Sequence, residues 1–215
     1  MTNHQADKFI PALGNDLLTP LYDPLLWLMR EHRFKRDLIE QAQMSNGMRV
    51  LDVGCGTGTL AIMAKQVHPE AEVFGLDADS KILGIARAKA AKASVNLTLD
   101  QGMADELPYA DGSFDRVLSS LFLHHLTTDN KRRTFREVFR VLRPGGRFDV
   151  VDFGPPRTFY SRWLARLTAK SEEVAANVQG LLPQMFREAG FENVAETKQF
   201  MTVAGALSFY QGQKP

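Results

Sequence analysis

The chain of 215 residues has one cysteine, no internal repeat, no low-complexity tract and almost no excess of charge. Each shortage removes a class of protein. Cys55 has no partner for an internal disulfide, and residues 1–8 are too polar for a secretory leader, so the expected compartment is cytoplasmic. The most apolar stretch, 17–29, is broken by Pro20, Asp23 and Pro24 and falls short of the roughly 18 apolar residues a membrane-spanning helix needs. A formal charge of +1 supplies no global field for nucleic-acid phosphates or anionic lipid. Hydrophobic residues at 44% and charged residues at 24% exclude a disordered or fibrous class and leave one well-filled globular domain as the expectation.

What is present is alternation. Short β-branched runs at 49–53, 72–76, 96–100, 115–119 and 147–152 are separated mostly by helical segments, which predicts βαβ units and a parallel sheet. Asp79 or Ser80 can cap a helix running to about Ala93, and Asp129 or Asn130 one over 131–142. In the second, Phe135, Val138, Phe139 and Leu142 share a face, and Pro144, Gly145 and Gly146 stop the helix. Near the C-terminus, 182–189 reads as a helix ended by Gly190, and the runs 193–200 and 206–211 as a closing hairpin. The arm 9–43 and the connection 153–180 fall outside this regularity and are assigned to substrate recognition.

Val50-Leu51-Asp52-Val53 is a buried-strand pattern, and Gly54-Cys55-Gly56-Thr57-Gly58 follows it just before the helix expected near Thr59. At a strand's carboxyl end glycines let the backbone approach a ligand that a β-carbon would push away, and helix-start amides favour an anionic group. A dinucleotide fingerprint needs a further glycine where Thr59 stands, and no Gly-Lys-Ser/Thr ending makes a phosphate-cradling loop. Asp52 would repel a pyrophosphate but can bind an ammonium, directly or through water, as on the methionine part of S-adenosylmethionine. Asp77, ending the second strand, can accept hydrogen bonds from two ribose hydroxyls. A bare strand-to-helix turn with a solvent-facing Asp explains the glycines alone; the turn with both acids favours a ligand.

These residues resemble the class I S-adenosylmethionine-dependent methyltransferases through Val50 to Gly58 and Gly75-Leu76-Asp77-Ala78-Asp79. The blocks 107–115, Ser119-Ser120 with Leu123-His124-His125-Leu126, and Leu142-Arg143-Pro144-Gly145-Gly146 are similar to the small-molecule branch that includes ubiquinone and menaquinone biosynthesis methyltransferases. The resemblance implies a Rossmann-like doubly wound α/β sheet of seven strands with the last antiparallel. It divides the single unit into a helical arm (1–45), a cofactor core (46–152), a lid or substrate segment (153–180) and a helix with a C-terminal hairpin (181–215). S-adenosylmethionine becomes the cofactor, S-adenosylhomocysteine its product, and no metal is implied. Asp52, Gly54, Cys55, Gly56, Thr57, Gly58, Asp77, Ala78, Met103, Ala104, Asp105 and Ser119 are the cofactor residues the resemblance implies, with Ala78 facing the adenine and Met103-Ala104 along its edge. The family often has an acid where Met103 stands, so Asp105 or a backbone carbonyl is left to contact the adenine amino group.

Nucleic-acid amine methyltransferases of this fold follow the fourth strand with an Asn- or Asp-Pro-Pro-aromatic run, where this chain has Ser119-Ser120-Leu121-Phe122; no nucleic-acid partner is expected. Lys131-Arg132-Arg133 reads as a solvated helix face. The sulfonium methyl is already electrophilic, so alignment does most of the work, and an oxygen or carbon acid also needs a base. His124 and His125 are the candidates for it, and each also suits packing or capping the next helix. Tyr22, Asp23 and Tyr160 can approach the acceptor from the flanking segments. Cys55, inside the turn, suits packing better than nucleophilic chemistry, and the scattered methionines suit gap filling. Arg162, Arg166 and Lys170, with Trp163, Leu164 and Leu167 beside them, form a basic amphipathic pattern read as a lid completed by Leu17, Leu18, Leu21, Leu25 and Leu26, leaving peripheral membrane contact as the other use. A hydrophobic or aromatic small acceptor is expected. The rival readings are a non-catalytic S-adenosylmethionine-binding or scaffold protein and an NAD-dependent oxidoreductase; acceptor atom and oligomeric state are open.

Overall fold

The computed structural model describes residues 31–157, 172–202 and 205–215. The helices are α1 (Glu31–Ala42), α2 (Thr59–Val67), α3 (Ser80–Lys92), α4 (Thr128–Val141), α5 (Glu172–Val178) and α6 (Leu182–Glu188), and a 3-10 turn spans Leu123–His125. The strands are β1 (Arg49–Val53), β2 (Glu72–Asp77), β3 (Thr98–Gln101), β4 (Phe114–Ser120), β5 (Leu142–Phe153), β6 (Glu192–Thr202) and β7 (Gly205–Gln213). They form one sheet of seven strands in the order β3-β2-β1-β4-β5-β7-β6. β1 to β5 are parallel neighbours, and β7 runs antiparallel to both β5 and β6. The Rossmann-like α/β architecture, the strand number and the antiparallel last strand therefore match expectation.

Alternation along the strands sends side chains to two core layers. Leu51, Val53, Phe148 and Val150 pack with Phe135, Val138, Ala176 and Met185 of α4, α5 and α6; Val50 and Val151 pack with Phe34, Leu38, Leu60 and Ala61 of α1 and α2. Helical spacing explains α1, whose Phe34, Leu38, Ile39 and Ala42 are buried on one side. Gly190, at φ +101°, closes the turn after α6 as expected, since only glycine takes that conformation without a steric penalty.

Most element boundaries shift by one or two residues from the sequence reading, and two shift further. The cap of α4 is Thr127, whose side chain accepts the Asn130 amide, rather than Asp129 or Asn130. Thr127 has the extended backbone an N-cap requires (φ −60°, ψ 161°), and on its account the helix starts at Thr128, three residues before the expected Lys131. β5 begins at Leu142, not at 147, because Leu142 pairs with Phe114 and the main chain of Gly145 and Gly146 is tied to Lys214.

The order of strands sets the position of the site. The chain moves from β1 outward to β2 and β3, then returns to place β4 on the other side of β1, and the crevice beyond the carboxyl ends of β1 and β4 lies at that reversal. Parallel register does the fine placement. Val53 lies opposite Leu76, so Gly54 and Asp77 emerge side by side. Among the described residues no helix is long and apolar enough to cross a membrane.

Candidate active site

The bend after β1 is made by backbone conformations that side chains resist. Gly54, Gly56 and Gly58 have φ of 68°, 53° and 75°. The amides of Gly54 and Cys55 both donate to the Leu76 carbonyl, at 2.9 and 3.0 Å, which fastens the bend to the end of β2. A β-carbon on Gly54 would meet the Phe122 ring at 2.1 Å, whereas one on Gly56 would have open space around it. The bend therefore presents bare backbone to an empty region at Gly56.

Asp77 closes the other side. Its Oδ2 accepts the Gly56 amide at 2.9 Å and its Oδ1 the Asp79 amide at 3.0 Å. A carboxylate has about four lone-pair positions, so acceptor capacity is left for a ligand's hydroxyls. Burial raises the Asp77 pKa, and those two amides counter part of the rise. Asp77 and Gly54 line a cleft together with Ala78, Met103, Phe122 and His125, enclosing about 690 Å³ of empty space with its open mouth included.

Asp52 lies beneath the bend, 1% exposed, with neither carboxylate oxygen hydrogen-bonded. Burial pushes its pKa up to about 7, and the Lys35 ammonium and the Ala61 amide pull it down without reaching hydrogen-bonding geometry to it. Lys35 is buried too and ion-paired with Glu31 one helical turn earlier. Asp52 and Lys35, both removed from water, thus act on each other electrostatically behind the bend. The sequence reading missed Glu31 and Lys35; their i, i+4 spacing was the available signal.

The third wall, 103–109, is held against α4. The Leu107 amide donates to Glu137 at 2.8 Å, and Arg140 donates to the carbonyls of Leu107 and Tyr109. Asp105 lines the cleft and pairs with Arg133 at 3.2 Å. Ala104 is buried and Met103 is 37% exposed, both at the lining. Lys131 is not a solvated residue: it is fully buried, its ammonium donating to the Leu126 carbonyl. Arg132 pairs with Glu188 and Asp129, so the basic cluster is committed internally.

Six of the expected cofactor residues lie off that lining: Asp52, Gly56 and Gly58, placed above, and Ser119, Thr57 and Cys55. Ser119 is fully buried and donates to the Val53 carbonyl at 3.1 Å, bracing β1 against β4. Thr57 is buried with its hydroxyl accepting from Lys89. The Cys55 thiol is buried against Gly75, and burial, then the charges of Asp52 and Asp77, push its pKa well above the usual thiol value, so it is inert packing. Tyr22, Asp23 and Tyr160, with the apolar and basic residues assigned to the lid, lie outside the described residues.

The turn after β4 holds both histidines. His125 lines the cleft. His124 instead directs Nδ1 to Asp152 Oδ1 at 2.8 Å, while the rings of the two histidines lie 4.0 Å apart. Asp152, which sequence reasoning missed, is fully buried at the end of β5 and also accepts the amides of Phe122 and Phe153. α5 packs on this turn and carries Asn177, buried with neither amide atom partnered.

Comparison with known proteins now decides the family. A methyltransferase-domain family matches residues 50–146. The ubiquinone/menaquinone biosynthesis C-methyltransferase UbiE of Vibrio campbellii is 32% identical over 208 residues, covering 85% of this chain and 78% of that protein. The chain belongs to the class I S-adenosylmethionine-dependent methyltransferases. The demethylmenaquinone methyltransferase of Symbiobacterium thermophilum is 27% identical over 231 residues, covering 93% and 90%. Among solved structures, phosphoethanolamine N-methyltransferase 2 of Haemonchus contortus superposes with a TM-score of 0.72 at 18% identity, covering 95% of this methyltransferase and 58% of that chain. The [4+2]-cyclase SpnF does so at 0.69 and 20%, covering 85% and 80%. Those two share the fold alone, and since one is named a cyclase, the site has to carry the chemistry. It fits the cofactor: an unpartnered buried carboxylate, bare backbone at Gly56 and a second carboxylate with spare acceptor capacity meet an ammonium, a close-approaching ligand and vicinal hydroxyls. Among the described residues no group of His, Cys, Asp and Glu could hold a metal ion.

Proposed function

We propose that this methyltransferase transfers the methyl group of S-adenosylmethionine to a small hydrophobic, quinone-like aromatic acceptor. The similarity to a protein named as a ubiquinone/menaquinone C-methyltransferase, extending over 78% of that relative, carries the reading. The cofactor supplies a methyl already electrophilic on its sulfonium. Asp52 takes the ammonium of the amino-acid end, with Lys35 as the matching cation. The backbone of Gly54, Gly56 and Gly58 allows close approach, and Asp77 takes the sugar hydroxyls. Ala78, Met103 and Ala104 flank the base. Asp105, held by Arg133, is the acceptor group nearest to hand for an exocyclic amine now that Met103 occupies the other position. The histidine turn serves proton removal, and Tyr22, Asp23 and Tyr160 approach the acceptor from segments 1–45 and 153–180, which act as arm and lid. Positioning accounts for most of the rate, since orienting two reactants converts a bimolecular step into an effectively unimolecular one.

The test is incubation of the purified protein with S-adenosylmethionine and chemically reduced demethylmenaquinone, with phosphoethanolamine as the contrasting acceptor. S-adenosylhomocysteine formation together with a methylated quinol is expected. Methylation of phosphoethanolamine alone overturns the acceptor class, and no product with either acceptor, despite cofactor binding, favours a non-catalytic binding protein.

A further inference from the structure

The two adjacent histidines are not equivalent. His125 belongs to the wall of the cofactor cleft, while His124 stands outside that lining, its ring edge-on to Phe153 at 4.8 Å. Phe153 ends β5 and leads into the segment assigned to the acceptor. His124 is nonetheless accessible, with 13% of its side chain exposed against 0% for Asp152. Asp152 is ionised at neutral pH: burial would raise its pKa, but the His124 ring and the Phe153 amide outweigh burial and hold it below the ordinary carboxylate value. An ionised carboxylate only accepts hydrogen bonds, so the Nδ1 facing it must carry the proton, which leaves the lone pair of a neutral ring on Nε2. The same carboxylate receives the backbone amides of Phe122 and His124, at 3.1 and 3.4 Å, and so fixes the turn in which Leu121 adopts φ +52°. Non-glycine residues persist in that conformation only where their surroundings enforce it.

We infer that Asp152 is a positioning residue that makes His124 Nε2 the proton acceptor of the reaction, and that the methyl acceptor is consequently an oxygen or carbon acid such as a hydroquinone, not an amine attacking with its own lone pair. This rests on the methyl-transfer reading above. In the step itself the acceptor's O–H bond breaks, its electron pair stays on that oxygen or its conjugated ring carbon and forms the bond to the methyl carbon, and the methyl's bond to sulfur breaks with its pair left on sulfur. The O–H proton bonds to Nε2, His124 becomes cationic beside anionic Asp152, and water later takes the proton. A methylated ring carbon then loses its own C–H proton to water. Among the described residues, the charged and titratable groups around His124 are Asp152 on β5, His125 beside it, Tyr210 of β7 within electrostatic reach of Asp152, and the Lys131 ammonium of α4 bound to the next carbonyl.

The experiment uses the full chain. Without cofactor, nitrogen-15 shifts of the His124 ring report its tautomer and titration: the wild type should carry the proton on Nδ1, and in Asp152→Asn the ring should titrate at lower pH, since its cation loses an anionic partner. With S-adenosylmethionine and reduced demethylmenaquinone, Asp152→Asn should lower kcat by about 10²- to 10⁴-fold with KM and cofactor affinity within about twofold, and shift the acid limb of the pH profile downward. His124→Gln, which leaves the carboxylate's amide contacts in place, should lose kcat equally and decides the matter if Asp152→Asn does not fold. A His124 titration unmoved in Asp152→Asn, or His124→Gln retaining wild-type kcat, overturns the inference. Expected ring behaviour with no turnover of the quinol overturns the acceptor proposed above instead.

Discussion

Replacing Asp52 by Asn should make the ligand-free protein more stable and its cofactor binding weaker. Asp52 is 1% exposed and unpartnered, and its pKa stands at about 7 against an ordinary 3.8. At about 1.4 kcal/mol per pKa unit, holding it ionised in the folded state at pH 8 costs about 4 kcal/mol. Because the folded carboxyl keeps its proton more tightly than the unfolded one, its contribution to stability is intact below about pH 4 and is lost as pH rises toward 7. Asn removes the charge but buries an amide with unmet donors, a penalty of about 1–3 kcal/mol. The net gain at pH 8 should be about 1–3 kcal/mol, or several degrees at about 2–4 °C per kcal/mol for a chain of this size. At pH 5, where the wild-type side chain is protonated, the advantage should vanish. Binding should move the other way: an ammonium losing its carboxylate forfeits about 1.5–3 kcal/mol, roughly 10- to 100-fold in Kd. Thermal melts at both pH values with calorimetry on each protein supply the numbers. A variant no more stable than wild type at pH 8, or a difference that does not change with pH, refutes the reasoning.

The glycine bend separates strain from obstruction. Gly54→Ala should unfold or strongly destabilise the protein in a urea titration, because its β-carbon meets the Phe122 ring at 2.1 Å. Gly56→Ala, with φ +53° but open space around the new carbon, should cost only about 1–2 kcal/mol of stability yet weaken S-adenosylmethionine binding at least about tenfold. Thr127→Ala removes the cap of α4 and should cost about 1 kcal/mol in the same titration, while Asp129→Ala should cost less.

The legible part of this methyltransferase was local. Alternation and glycine placement located β1, the bend and Asp77, since strand, turn and partner acid each leave a mark within a few neighbours. Asp152 left none. It meets His124 only because β4 and β5 pair in parallel register, Ser120 opposite Val151, which brings residues distant in sequence to one strand end. Lys131 misled for a related reason: within the run Lys131-Arg132-Arg133 only tertiary packing decides which cation turns inward to a carbonyl. The bracing of β1 by the Ser119 hydroxyl, which donates to the Val53 carbonyl, is likewise a contact between distant segments that leaves no local mark. Thr127 outcompeted Asp129 as a cap because the preceding 3-10 turn delivers it in the extended conformation.

Calorimetric titration of S-adenosylmethionine into wild type and Asp77→Ala tests the central claim, that the cofactor lies between the glycine bend and this carboxylate, most directly. Two charge-assisted hydrogen bonds are at stake, so the variant should bind more weakly by more than about 1 kcal/mol, or at least fivefold in Kd. Equal affinity in a folded variant would contradict the placement.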